Sequence, residues 1–218
     1  MALFRVVSYG AYLASSALLV WFVEFKVDRP AVTGGTVRSL LVDAALLALF
    51  ALQHSGMARE SFKRRFTSDR SLYVLLSSLA LGALCGLWQP LPGTIWELRG
   101  AARVAMFVVS GLGWLLAAVA TAQVDPFLGI WGRREGPLRT RGLFGIVRHP
   151  AYLGMLVVFW AAETMTWTHL VLTAGFTVYL AVGIALEERG LSATYGAEYA
   201  EYRERVPALL PLGRPPCR

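Results

Sequence analysis

Charged residues and cysteines are both scarce in this chain of 218 residues. Only 16% of the residues are charged, whereas soluble domains carry about 25%, so the chain has too few charges to cover a surface that faces water. Its two cysteines, Cys85 and Cys217, exclude a disulfide scaffold, and no residue spacing indicates a metal site. Hydrophobic residues make up 56% of the chain, which excludes a disordered protein. This composition indicates an integral membrane protein built as one compact unit.

Six apolar segments are candidates for membrane-spanning helices. A helix needs about 20 mostly apolar residues to cross the hydrocarbon core, and the fifth segment is shorter than that. We therefore expect the fifth and sixth segments to form a tight helical hairpin around a polar tip at residues 163–168. The predicted fold class is all-α: a polytopic membrane protein of five to six transmembrane helices with a C-terminal hairpin and a cytoplasmic amphipathic tail helix. The predicted spans are 6–25, 37–54, 71–89, 101–123, 152–162 and 169–186.

Lysine and arginine are divided unequally between the two sides that these spans define. The N-terminus, the second and fourth loops and the tail together carry 16 of them, and the opposite side carries five. By the positive-inside rule, both termini and the two basic loops face the cytoplasm of a bacterial-type inner membrane. A nucleic-acid surface is the alternative explanation, but topology already accounts for the charges, so we expect no nucleic-acid partner. The basic face should instead attract anionic membrane lipids, at about 1 kcal/mol per residue.

The start of the fifth predicted helix combines features that suit an anion. Pro150 is at home in the first turn of a helix, which places Arg148 and His149 beside the positive end of the helix dipole. The sixth helix ends in Glu187 and Glu188, which the hairpin returns to the same membrane depth as His149. Adjacent carboxylates at a membrane boundary need water or a cationic partner. The two helix ends are therefore expected to lie together.

The tail carries aromatic residues at helical spacing. Tyr195, Tyr199, Tyr202 and Val206 fall at i, i+4, i+7 and i+11, on one face of an amphipathic helix. Taken singly, each of these motifs has a structural interpretation: an interface anchor, a solvated helix end or an aromatic belt. Their combination, order and spacing favour a functional site over those interpretations.

These motifs resemble the C-terminal signature of a family of integral-membrane methyltransferases, which includes isoprenylcysteine carboxyl methyltransferase and phospholipid methyltransferases. The motifs are Arg148-His-Pro-x-Tyr-x-Gly154, Glu187-Glu188 and Tyr195-Gly-x-x-Tyr199-x-x-Tyr202-x-x-x-Val206-Pro207. The upstream half resembles the NnrU-like branch, which contains methanethiol S-methyltransferases. That resemblance is carried by Gln53-His54-Ser55, Arg70-Ser-x-Tyr73 and Trp88-Gln-Pro-x-Pro92.

The family resemblance implies a cofactor, S-adenosylmethionine, bound at the cytoplasmic end of the hairpin. It places the cofactor in a C-terminal region, residues 126–218, which follows an N-terminal four-helix region, residues 1–125. Glu187 would hold the cofactor's cationic groups or ribose hydroxyls, and apolar and aromatic side chains would bracket the adenine. The family's cofactor contacts fall on Gly136, Pro137, Leu138, Arg139, Phe144, His149, Pro150, Ala151, Tyr152 and Glu187.

Gly183 departs from the pattern of part of this family. Members that act on prenylcysteine carry an arginine four residues before the first paired acid, where it contacts the carboxylate of the substrate. The glycine here favours a neutral or thiol acceptor, and we expect a small thiol, methanethiol, with dimethyl sulfide as the product. The alternatives are a phospholipid or isoprenylcysteine acceptor, or a non-catalytic membrane protein of the same fold.

A thiol acceptor needs a group that takes its proton, because the thiolate is the nucleophile. His54, at the predicted cytoplasmic end of the second helix, is the candidate base. The alternative is that His54 caps the C-terminus of that helix. Arg148 either orients the acceptor or pairs with Glu188, and these two residues complete the catalytic candidates. No metal is expected.

Three further polar residues lie away from the predicted site. Asp43 lies inside the second span and needs a partner or a water pocket. Glu163 and His169 lie at the opposite membrane face, where we expect them to be interface residues.

Overall fold

The computed structural model describes residues 2–29, 36–58, 70–124 and 137–210. Within these ranges the chain is mostly helical, and five of its helices are long and apolar enough to cross a membrane. The all-α polytopic prediction is therefore confirmed. The fifth helix is shorter than the others, as expected. The helices are α1 (Ala2–Trp21), α2 (Thr36–Ala58), α3 (Arg70–Leu87), α4 (Gly100–Val124), α5 (Pro150–Trp160) and α6 (Trp167–Arg205).

A π-helical turn, Phe22–Lys26, continues α1 toward the end of the bundle opposite the start of α5. Such turns shift the direction in which side chains point, and this one carries Glu24. The Glu24 carboxylate accepts hydrogen bonds from the Ser110 hydroxyl at 2.6 Å and from the Trp114 indole N–H at 2.7 Å. An acid within the first span is thus bonded to α4.

The core is formed where α1, α2, α3, α5 and α6 meet. Core-facing positions recur every three to four residues along each helix, and the apolar residues at these positions bury one another. Fully buried members include Leu84, Phe159 and Leu172. The Asp43 carboxylate is also buried in this region and accepts a hydrogen bond from the Gln89 backbone N–H at 2.8 Å, which supplies the partner that the sequence left open.

Two glycines allow α4 and α5 to approach closely. A Cβ atom added at Gly154 would lie 2.6 Å from the carbonyl oxygen of Gly113 and 2.7 Å from the backbone nitrogen of Ala117. Membrane helices use small residues in this way, since close packing rather than the hydrophobic effect holds them together. This crossing fixes the position of α5, whose first turn carries the predicted site.

A short two-stranded ribbon covers the end of the bundle opposite the start of α5. Strand β1 (Thr94–Glu97) pairs antiparallel with β2 (Thr164–Thr166), with Trp96 opposite Met165. The sequence predicted only a polar hairpin tip at residues 163–168. The ribbon forms because backbone groups at a membrane boundary need partners, and the β-branched residues on both segments suit a strand.

His169 lies beneath this ribbon and is buried, so its assignment as an interface residue was wrong. Its Nδ1 lies 2.6 Å from a carboxylate oxygen of Asp28, and its Nε2 lies 3.1 Å from the Phe159 carbonyl. Asp28 also accepts hydrogen bonds from the backbone and hydroxyl of Thr166. His169 is buried at the start of α6 because both of its ring nitrogens find hydrogen-bond acceptors there.

Helix α6 changes direction at Gly196, which has φ +54° and ψ −122°. This conformation is open to glycine and disfavoured for other residues. The turn folds the last part of the chain back onto the bundle, where Tyr199 and Tyr202 are buried. The amphipathic tail helix predicted from the tyrosine spacing is therefore present as the final part of α6.

Candidate functional site

The paired acids and the start of α5 meet in one cluster, as predicted. The Arg148 guanidinium donates to a Glu188 carboxylate oxygen from Nε at 2.9 Å and also from Nη2. His149 Nε2 lies 3.1 Å from that same oxygen. The three side chains are only 9%, 16% and 2% exposed for Arg148, Glu188 and His149. Of the two roles open to Arg148, the structure shows pairing with Glu188.

The C-terminal tail closes this cluster through backbone hydrogen bonds. The N–H of Arg148 donates to the Pro207 carbonyl at 2.9 Å, and the N–H of His149 donates to the Ala208 carbonyl at 3.0 Å. The guanidinium of Arg148 also donates to the carbonyls of Arg203 and Val206. Arg148 therefore ties three separate parts of the chain together.

The buried tyrosines of the tail complete these contacts. The Tyr202 hydroxyl donates to the Phe144 carbonyl at 2.6 Å, which anchors the short helical turn Gly142–Gly145. The Tyr199 ring is fully buried, and its hydroxyl interacts electrostatically with Arg148 and Glu188. The tail thus holds the loop before α5 as well as the first turn of that helix.

Glu188 lies beyond Leu186, the last apolar residue of the predicted span, and its charge is well compensated. Burial raises the pKa of its carboxyl, but the hydrogen bonds from Arg148 and His149 outweigh that effect and hold the pKa below its ordinary value. The carboxylate form is the one that Arg148 and His149 stabilise. Glu188 is therefore a fixed negative charge at the start of α5.

Glu187 differs from its neighbour because it is exposed and, among the residues that the structure describes, has no ion-pair partner. Its carboxylate interacts with the hydroxyl of Tyr152 on α5. The backbone N–H groups of Ala151 and Tyr152 lie in the first turn of α5 and have no acceptor within the helix. This region therefore offers a carboxylate without an ion-pair partner beside N–H donors that the helix leaves unused.

His54 lies in a second cluster, between two tyrosine hydroxyls. Its Nε2 is 2.7 Å from the Tyr73 hydroxyl on α3, and its Nδ1 is 2.6 Å from the Tyr179 hydroxyl on α6. The ring stacks on Phe50, with centroids 5.4 Å apart. Helix α2 runs four residues further, to Ala58, so His54 does not cap it, and that alternative was wrong.

Tyr152 connects the two clusters. Its hydroxyl interacts electrostatically with Glu187 and also with Tyr179 and Tyr73, the two partners of His54. A Cβ atom added at Gly183 would lie 3.8 Å from that hydroxyl. The space in front of Gly183 is therefore bordered by Tyr152, and the two clusters lie on either side of it.

The remaining predicted residues are placed as follows. Pro150 is buried at the first position of α5, and Phe144 lies in the anchored turn before it. Pro137, Leu138 and Arg139 lie in the extended segment that leads to that turn, with Leu138 half-buried and its neighbours exposed. Gly136 lies outside the described residues. The sequence did not identify Tyr179, because a lone tyrosine inside an apolar helix carries no local signal.

A separate cavity of about 570 Å3 lies at the opposite end of the bundle. Glu24, Asp28, Arg103 and Glu163 line it together with apolar residues of the π-helical turn, α4 and α5. Arg103 donates two hydrogen bonds to Glu163, at 3.0 and 2.8 Å. None of the predicted site residues that the structure describes lines this cavity.

Comparisons with known proteins show the family of the chain. The family model of phospholipid methyltransferases matches residues 101–198. The chain is 39% identical to methanethiol S-methyltransferase 2 of Bradyrhizobium diazoefficiens, over 96% of this chain and 89% of that protein. It is 36% identical to methanethiol S-methyltransferase of Mycobacterium tuberculosis, over 96% of this chain and 95% of that protein.

Nurim of Rattus norvegicus is a more distant relative, 31% identical over 70% of this chain and 68% of that protein. No solved structure matches the chain significantly. The family resemblance carried by the α5 and α6 motifs is thus confirmed by whole-chain similarity. The chain belongs to the family of integral-membrane methyltransferases of the phospholipid and isoprenylcysteine methyltransferase type.

Proposed function

We propose that this membrane methyltransferase transfers a methyl group from S-adenosylmethionine to methanethiol and forms dimethyl sulfide. The observation that carries the proposal is the similarity, over nearly the whole chain, to several proteins named methanethiol S-methyltransferase. Gly183, in place of a cation for a carboxylate substrate, supports a small uncharged acceptor. The site faces the cytoplasm of a bacterial-type inner membrane, as the distribution of Lys and Arg indicates.

The residues around the start of α5 fit the chemical groups of S-adenosylmethionine. Its carboxylate matches the free N–H groups of Ala151 and Tyr152 at the positive end of the helix dipole. Its cationic amino group or its ribose hydroxyls match the exposed carboxylate of Glu187, which has no ion-pair partner among the described residues. When bound, the cofactor supplies an electrophilic methyl group carried on a sulfonium. We accordingly propose residues 126–218 as the cofactor-binding region.

The other predicted contacts supply the walls of that site. The half-buried side chains of Leu138, Phe144 and Tyr152 offer apolar surface to the adenine. Pro150 fixes the start of α5, and Gly136, Pro137 and Arg139 belong to the loop expected to cover the cofactor. This assignment follows the family resemblance and the exposure of these residues.

Arg148 and Glu188 are proposed to position His149 rather than to contact the reacting atoms. Their polar atoms are already engaged with each other, with His149 and with the tail. A buried, hydrogen-bonded ion pair of this kind fixes geometry, because breaking either half leaves an uncompensated charge. His54 remains the candidate base of the site.

A headspace assay tests this function. Purified protein in detergent receives S-adenosylmethionine and methanethiol, and dimethyl sulfide is measured by gas chromatography. We expect product from the wild type and a loss of about tenfold or more in kcat/KM for the cofactor in Glu187→Gln, since a hydrogen bond to a charged group contributes about 1.5–3 kcal/mol. Glu198→Gln, an exposed glutamate on the same helix, is the matched control and should behave as the wild type.

The rival functions give different outcomes in the same assay. Cofactor binding without dimethyl sulfide, together with methylation of an added phospholipid or isoprenylcysteine substrate, would transfer the proposal to that acceptor. Absence of cofactor binding by folded protein would favour the second candidate, a non-catalytic membrane protein of the same fold. The similarity to Nurim, whose name states no reaction, is the observation that keeps this candidate.

A further inference from the structure

We propose that Tyr179 is the residue that takes the proton of the thiol and that His54 acts behind it, so that Tyr179, His54 and Tyr73 form a proton relay beside Gly183. This inference rests on the proposed function and assigns the acceptor end of the same site. Neither the family model nor the names of the relatives identify such residues.

The spacing on α6 sets the location of the acceptor. Tyr179, Gly183 and Glu187 are four residues apart and therefore lie on one face of the helix, in successive turns. Glu187 is the proposed cofactor contact, and a Cβ atom at Gly183 would meet the Tyr152 hydroxyl at 3.8 Å, which leaves room there for a small group. A small thiol at Gly183 would thus have the cofactor site on one side and the Tyr179 hydroxyl on the other.

The hydrogen bonds of His54 explain why the ring does not receive the proton directly. Both of its nitrogens are within 2.7 Å of a tyrosine hydroxyl, so neither is available to a thiol. A hydroxyl can donate and accept in turn, and Tyr179 is therefore able to pass a proton from the space at Gly183 to Nδ1. This direction requires the tautomer in which Nε2–H donates to the Tyr73 oxygen.

The proton is accounted for at each step. The S–H bond of the thiol breaks and its electron pair stays on sulfur, which forms the new bond to the methyl group. The proton joins the Tyr179 oxygen as the original hydroxyl proton moves to Nδ1 of His54. The resulting imidazolium keeps its Nε2–H bond to Tyr73.

The surroundings of His54 disfavour this charge. Arg70 on α3 interacts electrostatically with the ring and opposes a second positive charge, while Phe50, on the same helix as His54, offers only an apolar face. Ser55 interacts with the Tyr179 hydroxyl and can help to hold its orientation. The ring is therefore placed to pass the proton on after each turnover.

A size-matched acceptor that needs no base provides the test. Methaneselenol, generated by reducing dimethyl diselenide, has the shape of methanethiol but is ionised at neutral pH. Tyr179→Phe should lower kcat with methanethiol by about a hundredfold or more, the usual contribution of general acid–base catalysis, and should leave KM for the cofactor unchanged. With methaneselenol its kcat should stay within about threefold of the wild type, because the selenolate has no proton to lose.

Three further variants test this interpretation. His54→Gln should show the same selective loss, and Tyr73→Phe a smaller one, since Tyr73 only supports the ring. Tyr12→Phe removes a hydroxyl from α1, where the ring packs on Tyr9, and should match the wild type. Equal activity of Tyr179→Phe and wild type with methanethiol would overturn the relay, as would an equal loss with both acceptors. No product from the wild type with either acceptor would overturn the proposed function itself.

Discussion

The environments of two buried histidines, at opposite ends of the bundle, differ in one chemical respect. Both nitrogens of His169 face groups that only accept hydrogen bonds, the Asp28 carboxylate and the Phe159 carbonyl. Both nitrogens of His54 face tyrosine hydroxyls, which donate as well as accept. His54 can therefore exchange a proton without losing a hydrogen bond, whereas His169 cannot.

This difference separates a structural end of the molecule from a chemical one. Around His169, the ribbon, the Asp28 carboxylate and Thr166 form a network in which each described group has a fixed role. Around Tyr152 and Gly183, the described residues leave a carboxylate without an ion-pair partner, N–H groups that the helix leaves unused, and room for a methyl group at Gly183. Substitutions at the first end should change stability alone, and substitutions at the second should change catalysis.

The largest effect is expected for Arg148→Ala. Removal of the guanidinium leaves Glu188 buried without its main partner and frees the tail carbonyls, which should cost about 3–5 kcal/mol in the free energy of unfolding. Cofactor binding should be lost with it. Thermal unfolding in detergent and titration calorimetry measure the two effects. A variant as stable as the wild type would show that the ion pair does not hold the site.

Asp28→Asn tests the structural end of the molecule. It should lower the free energy of unfolding by about 1.5–3 kcal/mol, the range for hydrogen bonds to a charged group. Because this network lies at the far end of α5 from its first turn, KM for the cofactor and kcat should remain at wild-type values once the protein is folded. Denaturation and steady-state kinetics of the same preparation compare the two quantities. A lower kcat in folded Asp28→Asn would contradict the division into two ends.

Gly154→Ala should lower the free energy of unfolding by about 1–3 kcal/mol, because the added methyl group meets the backbone of α4 at less than contact distance. Since Gly154 follows the first turn of α5, the shift should also weaken cofactor binding. Gly10→Ala is the matched control, with nothing within 4 Å of the added atom. Equal unfolding temperatures for the two variants would show that the close crossing of α4 and α5 is not needed.

The smallest effect is expected for Gly183→Ala. Its methyl group fits at ordinary contact distance from the Tyr152 hydroxyl, so kcat/KM for methanethiol should fall only about twofold to fivefold. In Gly183→Leu, whose larger side chain fills this space, kcat/KM for methanethiol should fall much further. Headspace measurements on both variants provide the comparison. A wild-type value of kcat/KM in Gly183→Leu would show that the acceptor does not bind beside Gly183.

Membrane spans and the meeting of two helix ends could be predicted from the sequence, because apolar length and motif order are local properties. Arg148, His149 and Glu188 meet as the hairpin required. The partners of His54 could not be predicted, since Tyr179 lies 125 residues away in the chain and only packing brings it near. The π-helical turn at Phe22–Lys26 and the ribbon of β1 and β2 also depend on distant segments, so no local sequence pattern predicts them.

The pairing of Pro207 and Ala208 with Arg148 and His149 has a consequence for biosynthesis. Pro207 and Ala208 follow α5 and α6 in the chain, so both helices can enter the membrane before these two residues leave the ribosome. The contacts that close the site can therefore form only after the helices that carry it have been made. Insertion of the spans and closure of the site are thus separate, ordered steps.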